Sequence, residues 1–165
     1  MNLRSLLSSA RTSRWKRFVL NYALGWKIPF NRPHGFRVIP IEGGIRVRIP
    51  YWPVNRNHIN GMHACALATG AELCSGLSLL EHLDAKQYRL IMASLNMQYF
   101  KQAKRATFAE SKPARDAIYA VIEGLKKEEA VRYQSTIELH DDQGLHVATG
   151  TVEWQVKEWG RVRTK

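Results

Sequence analysis

Residues 55–80 read NRNHINGMHACALATGAELCSGLSLL, and this stretch decides the fold. It opens polar and turn-like: Asn55, Asn57, Asn60 and Gly61 favour turns and tolerate left-handed backbone, so a loop is expected to end near Met62. Beyond it Ala64, Ala66, Leu67, Ala68, Ala71, Leu73, Leu77 and Leu80 are mostly good helix formers. Apolar or small side chains occupy nearly every position, which predicts a helix buried all round. Ala64, Ala68, Gly70, Ala71, Ser75 and Gly76 keep it slim, so a neighbouring backbone can approach. A sheet wrapped round one central helix satisfies this pattern.

Glu72 is the one carboxylate on that helix. Burying it costs several kcal/mol unless it is paired, hydrogen-bonded or neutral. It is either a structural acid at an exposed edge or a general acid–base group. His63 precedes it by nine residues, about 13.5 Å along a helix and roughly 180° round it. The two side chains converge only if His63 sits in the preceding loop or a second subunit supplies one of them. That favours a dimer with a shared site.

The chain's 165 residues suffice for one domain with its own core. The net charge is +11, but its distribution matters more. Residues 1–41 hold eight Lys or Arg and no acid; the other 17 basic residues face 14 acidic ones, a surplus of three. The excess lies in the N-terminal arm, which weakens a nucleic-acid reading drawn from charge alone. Cys65 and Cys74, both on the central helix and nine residues apart, cannot bridge within it. Two buried thiols suit a reducing, cytoplasmic compartment. Without a CxxC or Cys/His cluster no metal site is expected.

Residues 1–30 read as an amphipathic helical extension, with Leu3, Leu6, Leu7 and Ala10 in one apolar stripe and Trp15, Phe18, Val19, Tyr22 and Trp26 in another. Arg4, Arg11, Arg14, Lys16 and Arg17 are interleaved. The extension is expected to pack on its own domain; contact of residues 1–26 with an anionic membrane surface and a targeting role are the alternatives. No stretch is apolar and long enough for a transmembrane span.

Residues 31–165 form the second unit, a single domain. Phe36 to Trp52 alternates about Gly43-Gly44 as a hairpin. Tyr88 to Phe100 is a strand with Ile91, Ala93, Leu95, Met97 and Tyr99 on one face. Ala106 to Ser111 follows as a strand, Pro113 to Lys127 as a helix, and Ala130 to Leu139 and Leu145 to Val156 as strands around Asp141-Asp142-Gln143-Gly144. The class is α+β.

At this point the chain resembles the hotdog-fold acyl-CoA thioesterase superfamily: Asn57, His63 six residues on, and Glu72 nine after that. More narrowly, MHACALATGAELCSGL and LNMQYFKQAKRATF are similar to an uncharacterised thioesterase-like bacterial subgroup. The resemblance covers roughly residues 36–159 and implies a curved antiparallel sheet round one long helix, in a homodimer or tetramer. It implies Glu72 as base or nucleophile at a thioester carbonyl, Asn57 orienting water or the carboxylate, and the Ala64 N–H as oxyanion donor at the helix start. His63 would hold the loop or the substrate. Lys101, Lys104 and Arg105 would meet the phosphates of coenzyme A, which enters as part of an acyl-CoA substrate and not as a cofactor. The family usually has glycine after the histidine; Ala64-Cys65 stands here, and alanine keeps the N–H while narrowing the approach. Two other readings remain: a non-catalytic acyl-CoA or lipid binder, and a dehydratase using His58 with Glu72, although that family's Pro-Gly-rich loop is missing.

Overall fold

The computed structural model describes residues 3–162. The first two residues of the N-terminal extension and the last three of the second unit lie outside it. Two helices, α1 (Leu3–Ala10) and α2 (Arg14–Lys27), come first, then the hairpin β1 (Arg37–Ile41) and β2 (Gly44–Ile49). The central helix α3 (Ala64–Leu80) follows, with β3 (Tyr88–Tyr99), β4 (Thr107–Ser111), α4 (Arg115–Lys127), β5 (Ala130–Asp141) and β6 (His146–Glu158). The strands make one antiparallel six-stranded sheet in the order β1-β2-β4-β5-β6-β3. Helix α3 packs against β2, β4, β5, β6 and β3. This is the hotdog arrangement that the sequence resemblance implies.

Small residues on α3 set how closely the sheet wraps it. A Cβ on Gly70 would come within 2.2 Å of Ile49 Cδ1, and one on Gly76 within 3.0 Å of the Trp154 ring. The polar groups on the buried face are satisfied, as burial demands. Trp154 Nε1 donates to Ser75 Oγ at 3.0 Å, and Ser75 Oγ donates to the Glu72 carbonyl. Ser78 and Ser111 share a hydrogen bond of 2.7 Å. The Cys74 thiol, buried between β2 and β4, donates to the Ile45 carbonyl.

Three expectations change. Burial of α3 is not complete: Ala64 and Cys65 are exposed, and Ala68, Thr69 and Glu72 are half-buried. Cys65, Ala68, Thr69 and Glu72 follow the i, i+3, i+4, i+7 spacing of one helical face. Among the described residues the sheet ends at β3, with no further strand to cover that face. Cys65 is therefore an exposed thiol, and only Cys74 is buried. On β3, a bulge between Met92 and Ser94 breaks the expected alternation. Leu90 and Met92 pair opposite the inward Val156 and Trp154, so Ile91 lies on the outer face, while Leu95, Met97 and Tyr99 keep the inner one.

The N-terminal extension is two helices, because Ser13 caps α2 by accepting from the Lys16 N–H. Leu6, Leu7, Ala10 and Leu20 join the same hydrophobic core as the sheet. The Trp15–Phe18–Tyr22–Trp26 stripe instead points outward, with exposures of 70%, 59%, 61% and 58%. A helix anchored by Leu20, with Val19 and Leu24 partly buried, turns the aromatic stripe to solvent.

Candidate active site

The loop before α3 is built from its own polar side chains. Asn55, fully buried, donates from Nδ2 to the His34 and Pro50 carbonyls, and its Oδ1 meets His34 Nδ1 at 2.8 Å. Its carbonyl accepts from the His63 N–H at 2.8 Å. Asn57 Oδ1 accepts from the Ile59 and Gly61 N–H groups at 3.1 and 2.8 Å, which shapes the turn; Asn60 takes the positive φ of 57° there.

His63 is the N-cap of α3, its Nδ1 accepting from the Cys65 N–H at 3.1 Å. When neutral, the ring therefore carries its proton on Nε2. Ala64 is the first helical residue, and among the described residues nothing accepts from its N–H. Its helical backbone needs no positive φ, so alanine in place of glycine introduces no strain. The Ala64 carbonyl accepts from the Tyr99 hydroxyl at 3.1 Å. Burial, with Cys65 close by, pushes the Tyr99 phenol up from its ordinary range.

Beside this helix start lies an open cleft of about 450 Å³ lined by Asn57, Met62, Ala64, Leu67, Tyr99 and Lys101, among others. Three of the residues singled out in the sequence, Asn57, Ala64 and Lys101, thus meet at one place. Lys104 and Arg105 do not line it; Arg105 pairs with Asp142 at 3.3 Å. His58 is exposed on the loop and also lies outside the lining.

Glu72 sits on the uncovered face of α3, eight residues beyond Ala64, which is about 12 Å along the axis. It is not among the residues lining the cleft. Among the described residues its carboxylate has no hydrogen bond or ion pair, and burial raises its pKa above the ordinary carboxylate value. A half-buried, unpartnered carboxylate is a stronger base than a solvated one. Among the described residues no cluster of metal-ligating side chains exists, and no helix is long and apolar enough to cross a membrane.

Asn55 and Tyr99 are not site candidates on the sequence alone. The buried asparagine belongs to the same polar run as Asn57, and composition alone does not separate an anchor from a turn former. Tyr99 reads as a strand residue, and nothing local in the sequence places its hydroxyl at the helix start.

The fold has solved relatives. A Pseudomonas aeruginosa protein of unknown function, described as a probable thioesterase, superposes with a TM-score of 0.76 at 27% identity, over 84% of this chain and 93% of its own. A protein of unknown function from Chlorobaculum tepidum gives 0.73 at 13% identity, over 90% and 98%. A substituted form of a Pseudomonas aeruginosa thioesterase gives 0.69 at 14% identity, over 86% and 94%. Among curated proteins there is no match. Residues 17–156 match the model of a domain of unknown function, DUF4442, and the chain belongs to that family, with the hotdog fold of thioesterase-like proteins.

Proposed function

We propose that this protein hydrolyses acyl thioesters of coenzyme A or of a carrier's phosphopantetheine. The observation that carries the reading is Glu72, a half-buried carboxylate with no partner among the described residues. Its uncovered face leads along α3 to the free Ala64 N–H and the cleft. A thioester carbonyl in the cleft would accept from that N–H, where the helix dipole favours developing negative charge. Glu72 would take a proton from the attacking water, whose oxygen bonds to the carbonyl carbon as the C–S bond breaks and the thiolate leaves with that proton. By direct attack it would expel the thiolate to form an anhydride that water then hydrolyses. Asn57 holds the loop and would orient the water through its free amide, while His63 holds the helix start. Lys101 would meet the CoA phosphates, with Lys104 as a second cation nearby.

A rise of about 12 Å along α3 from Ala64 to Glu72 is too long for one chain to complete this site. The homodimer expected from the sequence supplies the missing half. Its supports are the uncovered stripe on α3 and the unpaired 12-residue edge of β3, where Ile91, Met92 and Tyr99 are exposed. The probable-thioesterase description of the P. aeruginosa relative supports the reaction class.

A panel of acyl-CoAs with a thiol-detecting reagent tests the proposal. Release of free CoA, lost in Glu72→Gln with the fold and ligand binding kept, is the expected result. Saturable binding without turnover by the native protein would favour the binder, and undiminished turnover in Glu72→Gln would remove Glu72 from the mechanism.

A further inference from the structure

The outward face of α2 has no role in the site just described. Trp15, Phe18, Tyr22 and Trp26 form a continuous ladder, with successive ring centroids 5.5, 6.4 and 6.3 Å apart. From Trp15 to Trp26 the ladder runs about 16.5 Å. Each ring is more than half exposed, and Phe30, at 68%, extends the surface past the helix end. Arg32 lies 4.3 Å over the Trp26 ring. Tyr22, Trp26, Arg32 and Trp52 also line one shallow cavity of about 300 Å³.

Cations border this surface. Arg14 and Lys16 fall on opposite sides of the stripe on the helix, and both are exposed, as are Lys27, Arg32 and Arg37. The chain's first acid is Glu42. Asp84 shares a groove with Lys27 and offsets that charge in part. Arg11 and Arg17 are committed elsewhere, to Glu81 and to the α1–α2 turn.

We infer that this face docks on the surface of an anionic phospholipid bilayer. Indole and phenol rings seat their apolar bodies at the headgroup–acyl boundary and keep their polar tips wet. Flanking Arg and Lys meet the lipid phosphates, each contributing about fivefold in partitioning near an anionic surface. A second copy of the same face would set cations against cations. The helix lies flat on the bilayer and does not cross it, consistent with the absence of a spanning helix among the described residues. The inference is independent of the thioesterase reading.

Cosedimentation of the full chain with vesicles tests it. Binding is expected to vesicles of phosphatidylcholine with roughly 30% phosphatidylserine and to fall steeply as salt rises. Vesicles of phosphatidylcholine alone bind far more weakly. Arg14→Gln/Lys16→Gln/Arg32→Gln should lower partitioning about 100-fold, and Trp15→Ser/Phe18→Ser/Tyr22→Ser by more than about tenfold. Thermal unfolding midpoints near that of the native chain show that these exposed changes leave the fold intact. Absence of binding to the anionic vesicles, or equal binding by the aromatic variant, overturns the inference. A drop in sedimentation mass in the aromatic variant also overturns it, because it assigns the face to another copy of the chain.

Discussion

Ala64→Pro separates the proposed oxyanion donor from the fold. Ala64 is the first residue of α3, the position at which proline is favoured because its missing N–H costs the helix no bond. Among the described residues that N–H has no acceptor. The preceding His63 has φ −67° and ψ 135°, the extended geometry that proline requires of its neighbour. The native chain therefore loses no hydrogen bond, while the unfolded chain loses freedom worth about 0.4–1 kcal/mol. The unfolding midpoint should hold or rise by about 1–4 °C. Turnover should fall about 100- to 1,000-fold, since one oxyanion donor is worth about 2.7–4 kcal/mol. The assay pairs a thermal melt with thiol release from the best acyl-CoA of the panel. Full turnover at an unchanged midpoint would refute the role given to this amide, and a melt lowered by several degrees would refute the geometry of the helix start.

Three further outcomes are expected. Burial raises the Glu72 pKa, so the folded state binds that proton more tightly than the unfolded state, and the carboxylate's contribution becomes increasingly unfavourable as pH rises from the ordinary carboxylate range through the folded pKa. Glu72→Gln should therefore raise the melting midpoint at pH 7–8, with the gain fading as pH is lowered towards about 4; melts across that range check the sign. Asn55→Ala removes the side-chain bonds to His34 and Pro50 and leaves buried carbonyls unpaired, at a cost of about 3 kcal/mol read in denaturant titration. Lys101→Ala should raise KM for CoA thioesters about two- to fivefold and leave pantetheine thioesters unaffected; Arg105→Ala, tied to Asp142, should change neither.

Much of the architecture was legible because it is written in local periodicity and turn chemistry. The α3 run, the hairpin at Gly43 and the turn at Asp141–Gly144 were each visible as short patterns, and Gly43 and Gly144 take the positive φ those turns require. What escaped the sequence was relational. A bulge at one residue moved Ile91 to the other face, and period-2 reading carries no signal for that slip. The α2 stripe was visible, but which stripe faces inward is decided by the partner surface. Asn21 ties α2 to β1 through the Val38 backbone, which turns Leu20 to the core and the four aromatics to solvent.

The site divides the same way. Asn57, His63 and Ala64 sit within eight residues, so their meeting around one loop follows from local turn and cap rules, and the loop has that form. Lys101 reaches the same cleft because the strand that precedes it brings Tyr99 to the Ala64 carbonyl, a long-range contact that no spacing encodes. Glu72 is the instructive case. Its isolation among small apolar residues was plain in the sequence, and so was the helical arithmetic that keeps it from His63. The structure adds that its face of α3 is uncovered and that, among the described residues, β3 is an unpaired edge of the sheet. A carboxylate that is half-desolvated yet unpartnered costs stability in one chain alone. Within the proposed dimer that cost is the source of its basicity, since a partner subunit covering the stripe would dry the carboxyl further and bring it to the other chain's Ala64.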